Sequence, residues 1–258
     1  MPEIHKTAIV HPGAVLHDTV KIGAYATVEE HVVIGEYTEV GTHAIVAGHT
    51  TLGKHNRIFP LAAIGLECQD LKYKGEPTKL IIGDNNTFRE YCTVHPSANL
   101  EEPTIVGNNN LIMAYAHIAH NCVIGNNIVI ANASQLAGHV RVDDYATIGG
   151  LTAIQQFLHV GTHAFMGGAS STRKDIPPYT RGGGCDRFNV AGINTVGLSR
   201  RGFSKEAIEA IIQIYKIFYK KGMNVSQAIE YADNMGDLTP EQKVFVDFCR
   251  ASKNGICK

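Results

Sequence analysis

The sequence carries no excess of either charge: 23 Lys and Arg against 24 Asp and Glu leave a formal net charge of -1. A chain whose main partner is nucleic acid shows a clear basic excess, so no nucleic-acid partner is expected and any charged partner must be met by a local patch. No run of about 18 apolar residues is present to span a membrane. Met1-Pro-Glu-Ile-His-Lys has neither the basic start nor the apolar middle of a signal peptide, so a cytoplasmic chain without an integral membrane segment is expected. The six cysteines, Cys68, Cys92, Cys122, Cys185, Cys249 and Cys257, make no C-x-x-C pair and no framework spacing, which leaves free thiols as the default. At 258 residues and 44% hydrophobic content, the chain can nevertheless bury a large core.

Also missing from most of the chain are the usual apolar periods, three and four for a helix or two for a strand. In their place runs a six-residue beat: Val10, Leu16, Ile22, Val28, Ile34, Val40, Val46, Leu52, Ile58 and Ile64, resuming at Ile82, Phe88 and Val94, then continuing from Val106 to Met166. The position after the beat is often Gly (Gly23, Gly35, Gly41, Gly53, Gly65), and the fifth is small or β-branched (Val20, Ala26, Val32, Ala44, Thr50, Ala62). This is the pattern of a solenoid of short strands with a turn every six residues, where a small residue passes the corner without clashing. The count is 24 hexads, or eight coils. Cys68, Cys92 and Cys122 sit at the fifth position and read as buried filler.

Two polar stretches near 66–80 and 98–104 interrupt the beat and read as loops thrown out from a corner, where function commonly sits on a rigid scaffold. The beat ends before Ser171. Helical spacing follows, with Ser204 capping a helix that ends near Gly222, a second helix over Val225 to Asn234, and Thr239-Pro-Glu-Gln as a capping box with Pro at the first helical position. The expected organisation is a solenoid over 1–197 and an α-helical cap over 198–258.

The beat resembles the hexapeptide repeat, and that resemblance implies a left-handed parallel β-helix of triangular section with three hexads per coil. Residues eighteen apart then stack: Gly138 over His120, Gln156 one coil further, and His139 one coil and one residue away. His120 and His139 are off the beat and point outward. An imidazole beside a glycine N–H pairs a general base with a donor for a developing oxyanion, as acyl transfer requires. Flat faces without a deep pocket suggest self-association, and a homotrimer is expected.

Gln69-Asp-Leu-Lys-Tyr, Gly75-Glu-Pro-Thr, His117-Ile-Ala-His-Asn-Cys, Leu136-Ala-Gly-His-Val, Gln156-Phe, Asp175-Ile-Pro-Pro-Tyr, Gly192-Ile-Asn and Arg200-Arg-Gly-Phe together are similar to the acyl-[acyl-carrier-protein]:UDP-N-acetylglucosamine O-acyltransferases that open lipid A synthesis. The resemblance implies His120 as general base and Gly138 N–H as oxyanion donor. It implies that Asp70 and Lys72 meet the sugar nucleotide or the acyl hydroxyl while Gln69, His95, His117, His139 and Gln156 line the cleft, that Asn194 and Arg200 serve the nucleotide, and that Gly168 leaves a groove open for a long acyl chain. It further implies no bound cofactor, with an acyl carrier protein phosphopantetheine thioester and a UDP-sugar as co-substrates. Arg200, Arg201, Lys205, Lys216, Lys220 and Lys221 form a basic edge suited to an acidic carrier protein.

Four departures from the family pattern stand out: Asn121 in place of Asp after the basic histidine, Gln155 in place of His, Pro-Ser-Ala after His95, and Cys185-Asp186-Arg187 in place of a Gly-Asn segment. Two other activities remain open on the sequence, a γ-class carbonic anhydrase-like zinc lyase and an N-acyltransferase using a 3-amino sugar nucleotide.

Overall fold

The computed structural model describes residues 1–258. Two-residue strands recur through the first two-thirds of the chain and stack into three sheets, the faces of a solenoid. The first face holds eleven strands, of which the last, Asn189–Ile193, is antiparallel; the second holds nine and the third eight. Leu111 pairs with Val129, His117 with Gln135 and Val123 with Arg141, so one coil takes eighteen residues. Across the loops the spacing opens, with Ala63 paired to Thr93 and Leu80 to Thr104.

The beat residues fill the interior: Ile22, Val28, Ile34, Ile64, Ile112, Ile118 and Ile148 are all buried within one cluster of 40 residues. Glycine after the beat answers to the neighbouring coil. A Cβ on Gly35 would lie 2.7 Å from Gly53 O, which no relaxation short of separating the coils relieves. The left-handed turns themselves fall on large residues, among them Tyr25 (φ 55), His43 (φ 57), Tyr37 (φ 54) and His55 (φ 55). Such residues pay a steric cost there, offset by ring stacking between coils, as for Tyr25 on His43 at 5.0 Å and Tyr37 on His55 at 5.0 Å.

The solenoid is longer than the apolar count of eight coils. It begins a hexad earlier, at Glu3–Ile4, and continues past Ser171. Ser171–Thr172 pairs with Ala153–Ile154, Ile176 bridges to Val160, and Thr180–Gly183 runs parallel to Phe165–Met166. Main-chain hydrogen bonding to the preceding coil carries this last turn, with buried Thr172 in place of the regular Ile or Val and buried Ile176 off the beat. Phe188 then closes the end of the core, and Val190 packs against both this core and a second cluster of 15 buried residues.

That second cluster is built mainly by four helices, α1 (Thr195–Arg200), α2 (Lys205–Lys220), α3 (Val225–Asp233) and α4 (Pro240–Ala251), joined by Tyr179, Ile193 and Ile256. Ser204 caps α2 by accepting from Ala207 N–H, and Asn224 and Thr239 form full capping boxes with Gln227 and Gln242. The sequence gives no sign of α1, which is only six residues long. Asp175, 2% exposed, ties the C-terminal tail to the solenoid: it accepts from His159 N–H at 2.9 Å, Ser252 Oγ at 2.7 Å and Asn254 Nδ2 at 3.2 Å. All six cysteines are free, and burial pushes the Cys92 and Cys122 thiols up to about 12.

Candidate active site

Both loops leave the solenoid at the corner between the second and third faces, on consecutive coils. One lies between Ala63–Ile64 and Lys79–Ile82, the other between Thr93–Val94 and Thr104–Val106. The first loop therefore stops at Thr78, because Lys79 and Leu80 pair with His49 and Thr50. His120 turns the same corner one coil later, after His117–Ile118. Three successive coils thus bring chain-distant residues together at one edge.

The first loop is folded on itself. Tyr73 OH donates to Glu76 O at 2.9 Å, Tyr73 N–H to Asp70 O at 3.0 Å, and Lys72 N–H to Asp70 Oδ1 at 2.8 Å. These bonds leave Asp70 Oδ2 free, 3.7 Å from His120 Nε2. Gln69 and Lys72 stand exposed on either side.

Gly138 stacks directly on His120. A Cβ there would lie 2.5 Å from Nε2, with Cε1 closer still, so the ring rests against bare backbone. The Gly138 N–H donates to no protein acceptor, although Ala137 N–H is bound to Ile154 O and His139 N–H to His120 O. His139 meets the His120 ring edge-on at 5.3 Å and stacks on Phe157 at 4.6 Å. Gln156 is exposed beside Phe157. Phe157 carries no motif signal of its own in the sequence, though it lies eighteen residues after His139 and the stacking rule points to it.

His95 is 5% exposed and its Nδ1 has no partner; it packs edge-on against His117 at 4.9 Å. Burial, then His95 and His120, push the His117 pKa down to about 4. Burial and His120 lower His95, and the same two causes outweigh the pull of Glu102 and Asp70 on His139. These three rings are therefore neutral near pH 7 and act as hydrogen-bonding groups around His120 and Asp70. Elsewhere, burial and then Arg201 push His163 down to about 4. A histidine depressed in the folded state charges first in the unfolded chain, so its contribution is full above the unfolded value of about 6.5 and is lost as pH falls toward the folded one. Thermal melting should accordingly drop between about pH 6.5 and pH 4, and His163→Phe should flatten that slope.

Three expected site residues lie elsewhere on the chain. Gly168 turns the corner between the first and second faces, with Gly150 O 3.1 Å from where its Cβ would be. Asn194 belongs to the third corner, beside His163, and Arg200 ends the short helix that Asn194 caps. Asn194 Nδ2 donates to His163 O at 3.1 Å and its Oδ1 accepts from Gly197 N–H at 3.2 Å, capping α1. Arg200 is exposed in the last turn of α1. Within one chain these residues do not converge on His120, because a triangular section keeps its corners apart.

A family model described as UDP N-acetylglucosamine O-acyltransferase, domain 2, matches residues 175–257, and a bacterial transferase hexapeptide (six repeats) model matches residues 103–138. A protein of Akkermansia muciniphila named acyl-[acyl-carrier-protein]--UDP-N-acetylglucosamine O-acyltransferase is 52% identical, with 100% of each chain covered. A protein of the same name from Thermodesulfovibrio yellowstonii is 44% identical over 100% of both. The solved structure of the Francisella novicida UDP-N-acetylglucosamine acyltransferase matches with a TM-score of 0.95 at 40% identity, covering 98% of this chain and 93% of that one.

Proposed function

This chain belongs to the acyl-[acyl-carrier-protein]--UDP-N-acetylglucosamine O-acyltransferase family, and from that membership we propose how its own residues move the acyl group. It is an acyltransferase of lipid A biosynthesis, and its relatives do not favour the zinc-lyase and N-acyltransferase alternatives.

The proposal rests on the Gly138 N–H lying unpaired beside the His120 imidazole. The sugar 3-hydroxyl attacks the thioester carbonyl of a 3-hydroxyacyl carrier protein, and His120 Nε2 takes its proton as the C–O bond forms. Gly138 N–H donates to the oxyanion. Collapse breaks the C–S bond, and the imidazolium returns the proton to the phosphopantetheine sulfur. The products are an ester and a free thiol, with His120 neutral again. Asp70 and Lys72 hold the sugar or the acyl hydroxyl, and Gln69, His95, His117, His139 and Gln156 line the cleft without adding charge from the buried rings.

Asn194, Arg200 and Gly168 enter the same site when a neighbouring copy brings its corners against His120, which is the reason to propose a homotrimer. Arg200, Arg201, Lys205, Lys216, Lys220 and Lys221 are all exposed and offer the acidic carrier protein a docking edge. No helix is long and apolar enough to cross a membrane, and we place the reaction in the cytoplasm, with no resident cofactor.

The deciding experiment offers the protein a mixed pool of 3-hydroxyacyl carrier proteins together with UDP-N-acetylglucosamine and its 3-amino analogue. Mass analysis should show one hydroxyacyl group on UDP-N-acetylglucosamine, in a linkage that mild alkali cleaves as it does an ester. An alkali-stable amide on the 3-amino sugar alone would overturn the assignment of acceptor.

A further inference from the structure

Asn121 follows His120 at the corner, is 5% exposed, and has every polar atom of its side chain engaged. Its Oδ1 accepts from Ala98 N–H at 2.9 Å and stands 3.0 Å from His120 Nδ1, while Nδ2 donates to Glu102 O at 2.9 Å. Two of these partners fix which end of the amide is which, since a main-chain N–H can only donate and a carbonyl can only accept. Facing Oδ1, His120 Nδ1 must be the donor. The neutral ring then carries its lone pair on Nε2, the nitrogen beside Gly138 and Asp70.

We propose that Asn121 is a positioning residue, a latch that ties the 95–103 loop to His120 and thereby sets the tautomer and aim of the base. The proposal rests on His120 being that base. Aspartate, which the family resemblance would place here, could also accept from Nδ1. It would, however, set a second acceptor against the Glu102 carbonyl, where this chain needs a donor. The amide matches a loop that supplies one donor, at Ala98, and one acceptor, at Glu102. It also leaves Asp70, from the first loop, as the one carboxylate within ion-pair reach of His120. The other titratable groups facing His120 are His95 from the preceding coil, His117 from its own strand and His139 from the following coil, with Glu102 acting on His139.

The test compares Asn121→Ala and Asn121→Asp in the full-length protein, measuring kcat and KM across pH together with amide exchange at Ala98 in the absence of substrate. Asn121→Ala should lose about 10- to 100-fold in kcat through misplacement of the base, with KM for the sugar nucleotide little changed and the Ala98 amide exchanging fast. Asn121→Asp should recover kcat only on the alkaline side, with the acid limb moved up by about 1 pH unit because a carboxylate at Nδ1 favours the imidazolium. Equal losses in both variants with the acid limb unmoved would reduce Asn121 to a structural role, and fast exchange at Ala98 in the unmodified protein would remove the latch. His120→Ala separates the two levels. If that variant remains active, the base assignment fails; if it is inactive while both Asn121 variants keep full kcat, the latch alone is overturned.

Discussion

His120→Ala should lower kcat/KM by about 10²- to 10⁴-fold, the range a positioned general base contributes, while leaving the thermal transition where it is. The two halves of that expectation have separate physical grounds. The catalytic half follows from Nε2 lying between the free Asp70 oxygen and the Gly138 backbone, with no second imidazole in an equivalent place. His139 meets the ring only edge-on, and His117 is bound through Nδ1 to Thr93 Oγ1 at 2.7 Å. The stability half follows from position: the side chain is 15% exposed at a corner, outside the core that Ile112, Ile118 and Ile124 fill. Steady-state rates with a 3-hydroxyacyl carrier protein, beside a melting curve, read both. Retention of activity within a factor of about ten would mean that the base lies elsewhere.

The solenoid was legible because its signal is one-dimensional. Once the period is known to be eighteen, stacking is arithmetic, and the pairing of His117 with Gln135 follows from the sequence. The last coil escaped because it leaves the six-residue beat: Thr172 stands where Ile or Val would, Ile176 follows only four positions later, and Gly182 pairs with Met166. The same arithmetic separates the site residues. Gly168 is twelve positions beyond Gln156, two-thirds of a coil, and so belongs to another corner. What no period could reveal is what the loops do on returning. That Asp70 reaches His120, or that Ala98 and Glu102 close on Asn121, depends on how two aperiodic segments fold, and Asp175 gathers a tail some eighty residues away in the same manner.

Gly138→Ala should be nearly as damaging as loss of the imidazole, with a fall in kcat of about 10²-fold, the cost of displacing a catalytic group by about 1 Å. The backbone at Gly138 is not among the left-handed positions, so alanine is not excluded by conformation. The obstacle is the added Cβ, 2.5 Å from Nε2, well inside van der Waals contact. The ring must turn away, breaking either its approach to Asn121 Oδ1 or its alignment with the Gly138 N–H. Gly35→Ala provides the contrast, because there the Cβ meets a carbonyl oxygen of the next coil at 2.7 Å and the backbone itself has to move. Gly35→Ala should lower Tm and spare kcat, whereas Gly138→Ala should lower kcat and spare Tm. If Gly138→Ala retains the parent rate, the imidazole and the amide do not act on one reacting carbonyl.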